Sequence, residues 1–265
     1  MHNDHDEFGG LHRDLGLTGV AIGRRQLLRF GLGAGALYLL GCGNSTGTDD
    51  DDDGSNAACS VIPEETAGPF PGDGSNGPSV LNQTGVVRSD IRSSFAGLSG
   101  TADGVPLSIV LTIVSVSGAC APLSGRAVYV WHCDRLGRYS LYSSGATNQN
   151  YLRGVQETDA SGKVTFTSVF PACYSGRWPH IHVEVYPSLA AATSVSNKVK
   201  TSQLALPKAP CDLVYATANY TGSAANLSQV SLATDNVFAD GSANELATVT
   251  GSVASGYSAA LTVGI

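Results

Sequence analysis

Beyond residue 58 the chain holds three histidines, His132, His180 and His182, and two of them stand in the run His180-Ile181-His182-Val183-Glu184-Val185. Polar and apolar residues alternate there. As a β-strand the run turns Ile181, Val183 and Val185 toward a core and both imidazoles to the opposite face. Two imidazoles at neighbouring same-face positions can chelate one metal ion. They do not complete a protein site, and three sets of partners are open. His132 would make a three-histidine zinc site, Glu184 a two-histidine, one-carboxylate iron site, and tyrosines would add anionic oxygen. Glu184 shares one flat strand with both histidines, which makes a poor facial arrangement.

Positioning such groups requires strands joined by tight turns, and the composition supplies them. Charged residues make up 14% of the 265-residue chain, against about a quarter in ordinary soluble domains. That shortage excludes a coiled coil or long helical bundle, while the abundance of Val, Thr, Ser, Gly and Tyr favours strands. Leu107 to Val116 reads as a strand buried on both faces, and Arg126 to Cys133 and Lys163 to Phe170 read as further strands. Asp159-Ala160-Ser161-Gly162 supplies the turn into the last of these. No helix of more than three turns and no internal repeat is predicted after the leader. The expected fold is all-β, a single β-sandwich over residues 60–265.

Several further motifs appear in order. Gly137-Arg138-Tyr139 follows the strand ending Val130-Trp131-His132-Cys133-Asp134, and Pro171-Ala172-Cys173-Tyr174 precedes Arg177-Trp178-Pro179-His180. With Pro63-Glu64-Glu65-Thr66-Ala67-Gly68-Pro69, Leu152-Arg153-Gly154, Thr158-Asp159 and Thr201-Ser202-Gln203-Leu204, they make the chain resemble the intradiol ring-cleavage dioxygenases over most of residues 60–205. The resemblance implies the β-sandwich of that family and a non-haem Fe(III) ion held by Tyr139, Tyr174, His180 and His182. It also implies a catechol as substrate, cleaved by dioxygen to a dicarboxylate. Tyr139 would be the ligand that leaves the metal and takes a substrate proton, and Tyr174 the one that stays. Arg177 matches the family arginine that stabilises charge developing on the ring, and Gln203 a glutamine near the same intermediate.

The same comparison shows departures. No helical N-terminal domain precedes the sandwich, and only five residues separate Tyr174 from His180, a short loop that leaves the pocket open or completed by a neighbouring subunit. Tyr129 and Trp131 are expected in the core, His132 in a structural hydrogen bond, Glu184 holding a neighbour or facing solvent, and Cys173 pairing or lining the pocket. Tyr142 is a reserve ligand candidate. The rival readings are a catalytically silent surface module binding an aromatic or polymeric ligand, and a zinc hydrolase built on His132, His180 and His182.

The remaining sequence concerns address and environment. Arg24 and Arg25 precede an uncharged apolar run from Phe30 to Gly41, too short to span a bilayer as a helix. Residues 1–42 thus read as an export signal of twin-arginine type, and Leu39-Leu40-Gly41-Cys42 resembles a lipobox that would lipidate Cys42 and tether the protein to the membrane in the cell envelope or periplasm. Residues 43–59, rich in Asp, Gly and Ser, read as a disordered tether. The formal charge is −7, yet beyond residue 53 there are 11 Lys/Arg against 13 Asp/Glu, a nearly neutral body without the basic clusters of a nucleic-acid binder. Six scattered cysteines form no CxxC pair, and an exported protein could hold up to two disulfides among the five other than Cys42.

Overall fold

The computed structural model describes residues 59–265. The expectations for the leader, for Cys42 and for residues 43–58 lie outside the described residues. Nine strands, β1 (Pro106–Ser115), β2 (Ala121–Pro122), β3 (Ala127–Trp131), β4 (Arg153–Glu157), β5 (Lys163–Val169), β6 (His180–Tyr186), β7 (Lys200–Ala205), β8 (Thr248–Ser252) and β9 (Gly256–Gly264), form two sheets. In the first, β2, β1, β9 and β8 follow one another and β5 also pairs with β1; the second runs β4-β3-β6-β7. All pairs are antiparallel except β1 with β9. The helices are short, α1 (Lys208–Tyr215) and α2 (Ser223–Leu227). This is the all-β sandwich that the sequence predicts.

Between the sheets, Leu107, Ile109, Leu111 and Ile113 of β1 and Val164 and Phe166 of β5 share one buried cluster with Val128 and Val130 of β3 and Ile181, Val183 and Val185 of β6. β1 departs from its expected burial on both faces. Its pattern alternates, with Ser108, Val110 and Thr112 only half-buried, because a two-layer sandwich covers one face of each sheet and these small or β-branched residues tolerate the other. The predicted turn between β4 and β5 is present. Asp159 Oδ1 accepts the N–H of Ser161 at 2.8 Å and of Lys163 at 2.9 Å, and Gly162 (φ +73°) sits where a Cβ would lie 2.5 Å from the carbonyl of Ile113.

One disulfide, Cys59–Cys120, is present among the described residues, and Cys133, Cys173 and Cys211 are buried free thiols. The bridge fastens Cys59 to the turn between β1 and β2. Replacing Cys59 and Cys120 together with Ser is expected to lower stability by about 4 kcal/mol, the loop-closure estimate for a sequence separation of 61. Equal denaturation midpoints for the oxidised protein and the double variant would refute this.

Candidate metal centre

Strand register assembles the site. Arg153 of β4 pairs with Trp131 of β3, Trp131 with His182 of β6, and His182 with Gln203 of β7, so these four residues form one row across the second sheet. Alternation along β6 turns His180 and Glu184 to the same face as His182. That face is not open: every residue of β6 is buried, because loops lie over it. Tyr139, His180 and His182 are at most 3% exposed and Tyr174 is half-buried. The cover comes from the chain itself. A Cβ on Gly68 would lie 3.4 Å from the His182 ring, the Phe70 ring is 5.2 Å from that of Tyr139, and the Phe238 ring is 6.5 Å from that of His180.

Tyr139 is delivered by the β3–β4 loop. Gly137 (φ +78°) makes the turn, Asp134 Oδ1 accepts the N–H of Leu136 and Arg138 at 2.9 and 3.0 Å, and Ser143 Oγ accepts that of Tyr139 at 2.9 Å. Arg153 locks this loop to the N-terminal segment. Its guanidinium donates to Ser140 Oγ (3.0 Å), Ser140 O (2.9 Å), Phe70 O (2.9 Å), Pro71 O (2.7 Å) and Tyr129 Oη (3.2 Å), using all five of its N–H groups. Tyr174 comes from the loop before β6, the segment that ends in Trp178-Pro179-His180.

These elements bring the four sequence-predicted donors together. Tyr139 Oη lies 3.3 Å from His180 Nε2, 3.2 Å from His182 Nε2 and 3.5 Å from Tyr174 Oη, and Tyr174 Oη lies 3.2 Å from His180 Nε2. Metal–donor bonds of about 2.0–2.1 Å in a tetrahedral arrangement give edges of about this length. The donor chemistry fits a hard cation as well. Burial, reinforced by Arg177, holds His180 below its usual pKa, and burial, then His180, does the same for His182, so both imidazoles are neutral. Burial, then Tyr174, lifts the Tyr139 phenol well above its ordinary range, so its ionisation needs a cation at hand. His180 Nδ1 faces the carbonyl of Trp178. His182 Nδ1 has no hydrogen-bond partner among the described residues, and its ring is oriented by stacking on Trp131, at 4.7 Å and 5° between planes.

Arg177 and Gln203, predicted from separate segments, are joined. Arg177 donates to Gln203 Oε1 at 2.7 Å, and Gln203 Nε2 donates to the Thr66 carbonyl at 2.8 Å. His132 is bound elsewhere, with Nδ1 2.8 Å from the Cys133 carbonyl and Nε2 2.7 Å from Ser168 Oγ, and burial lowers its pKa to about 4. Among the described residues no cluster of three or more His, Cys, Asp or Glu side chains is placed to hold a metal, so the three-histidine zinc arrangement does not form. Glu184 accepts from Tyr186 Oη at 2.7 Å and Lys198 Nζ at 3.3 Å. Tyr142 is spent on Gly72 and Asn76, away from the other donors. Cys173 is a free thiol whose sulfur lies 3.4 Å from the Arg177 carbonyl.

Sequence reasoning missed Phe70, Phe238 and Asp235. Phe70 follows the Pro63-to-Pro69 motif directly and could have been found from it. Asp235 and Phe238 sit in a polar stretch with no pattern of their own.

A family model described as Dioxygenase matches residues 76–191, which include Tyr139, Tyr174, Arg177, His180 and His182. Catechol 1,2-dioxygenase 2 of Acinetobacter lwoffii is 43% identical over 54 residues, 20% of this chain and only 19% of that protein's length. The intradiol ring-cleavage dioxygenase from Tetranychus urticae superposes with a TM-score of 0.62 at 22% identity, over 78% of this chain and 95% of that one. A second dioxygenase crystal structure gives a TM-score of 0.61 at 23% identity, over 78% and 94%. Over residues 76–191 the sequence thus matches the Dioxygenase family model, and the fold of the described residues is that of the intradiol ring-cleavage dioxygenase from Tetranychus urticae.

Proposed function

We propose that the protein is a non-haem Fe(III) enzyme that cleaves catecholic rings between the hydroxyl-bearing carbons with dioxygen, giving a dicarboxylate. The observation that carries this reading is the convergence of Tyr139, Tyr174, His180 and His182, with donor atoms 3.2–3.5 Å apart. A bound ferric ion supplies the Lewis acidity that ionises phenols and draws electron density from a chelated catechol. The chain's own groups do the remainder. His180 and His182 offer neutral Nε2 lone pairs, and stacking on Trp131 keeps the second ring in place. Tyr139 Oη, which touches both imidazoles and Tyr174, is the base that receives a substrate proton. Arg177 lies close enough to both phenols to stabilise negative charge developing on the ring. Phe70 and Phe238 flank the site with aromatic faces that suit a planar ligand and keep water away.

Export and anchoring through Cys42 belong to the same reading. The Cys59–Cys120 bridge supports export, because such bonds persist in oxidising compartments.

Iron-loaded protein is expected to be red to purple from tyrosinate-to-iron charge transfer, and to consume oxygen with catechols while forming an intradiol dicarboxylate. Tyr174→Phe should weaken or shift the visible band at unchanged fold. A colourless protein carrying zinc, with a spectrum indifferent to Tyr174→Phe, would overturn the assignment.

A further inference from the structure

We infer that Asp235 is a positioning residue that sets the direction of the Arg177 guanidinium over the site. This rests on the ring-cleavage reading above. Asp235 is fully buried and accepts four N–H groups. Its Oδ2 takes Arg177 Nε at 3.0 Å and the backbone N–H of Trp178 at 2.6 Å, while Oδ1 takes the backbone N–H of Val237 at 2.9 Å and of Phe238 at 3.3 Å. One carboxylate thus ties the segment leading into His180 to the turn that carries Phe238, and Phe238 packs on His180. Burial alone would raise its pKa, but Arg177 and the Trp178 N–H more than offset this, so the group stays an anion beside the guanidinium.

The consequence for Arg177 is a fixed orientation. Nε is held by Asp235 and one terminal nitrogen by Gln203, itself anchored to Thr66. A planar guanidinium gripped at two of its three nitrogens cannot rotate, so its remaining N–H groups point in fixed directions. Asp235 lies 58 residues after Arg177 and beyond residues 76–191, so neither the local motif nor the family match points to it. The pair also cancels in charge. Arg177 therefore acts on a ligand through a directed N–H more than through net positive potential.

The test uses the iron-loaded full chain, with a second measurement on metal-free protein. Asp235→Asn should lower kcat with a catechol by ~10- to 100-fold, the scale of losses from small misplacement of a reacting group, while KM stays within about twofold and iron content and the visible band persist. In an Arg177→Gln background the same substitution should cost little more, because two residues acting as one unit are not additive. In metal-free wild-type protein the Arg177 Nε–H should give a slowly exchanging ¹⁵N resonance; this needs no variant and decides the orientation even if Asp235→Asn does not fold. Unchanged kcat in Asp235→Asn, an equal loss in both backgrounds, or a rapidly exchanging Nε–H would each overturn the inference. Failure of the ring-cleavage reading looks different, with colourless wild-type protein and no oxygen uptake, and there the exchange of Nε–H alone decides.

Discussion

Replacing His182 with Ala is expected to leave the protein unable to hold iron and to abolish oxygen uptake with catechols. The loss should exceed the roughly 10–100-fold that removal of an outer-shell partner costs a metal site. Two functions are removed at once: His182 Nε2, 3.2 Å from Tyr139 Oη, is one of the four proposed donors, and its ring stacks on Trp131. Iron content and the visible band, read beside near-ultraviolet circular dichroism to confirm the fold, provide the check. His132→Gln is the control, because His132 is spent on Ser168 and the Cys133 carbonyl. Loss of metal in His132→Gln at intact fold, with His182→Ala retaining it, would refute the four-donor arrangement.

The second large effect belongs to Arg153. It is 1% exposed and each of its five bonds goes to a carbonyl or hydroxyl, so its substitution strands acceptors on three segments at once. A buried acceptor left without a donor costs about 1–3 kcal/mol, and some of these will relax, so Arg153→Met is expected to destabilise the protein by about 3–5 kcal/mol. Binding should suffer too, since Arg153 holds Ser140, the neighbour of Tyr139, against Phe70 and Pro71. Denaturant titration reads the first effect, and iron affinity the second. Gly72 belongs to the same arrangement, because a Cβ there would lie 2.7 Å from an Arg153 nitrogen. A variant that melts with the wild type and retains its iron would show that the clamp contributes nothing.

Much of the molecule was legible in its residues. The alternation of His180 to Val185 fixed which side chains share a face, and Ile181, Val183 and Val185 of β6 do enter the core cluster. The Asp-Ala-Ser-Gly turn and the strands near residues 106, 127 and 163 follow from local chemistry, with ends displaced by a residue or two. Local signals failed at burial. β1 looked apolar enough to be covered on both sides and is not, and no local pattern pointed to the segments that bury Tyr139, His180 and His182. Both have one cause. Whether a face is buried depends on what crosses it, and the covers here, Gly68 to Pro71 and the Asp235 to Phe238 turn, are far away in sequence.

By itself the sequence determined the two-residue period that aligns the histidines, the turns and the sandwich class, since these depend on side-chain chemistry and on backbone geometry over a few residues, whereas the tyrosine donors were implied only by the family resemblance. Only the tertiary structure decided that Arg153, Trp131, His182 and Gln203 stand in one row, that His132 is committed to Ser168, and that Asp235 grips Arg177. Strand register and loop closure join residues dozens of positions apart, and no local pattern encodes which buried carboxylate will meet which guanidinium.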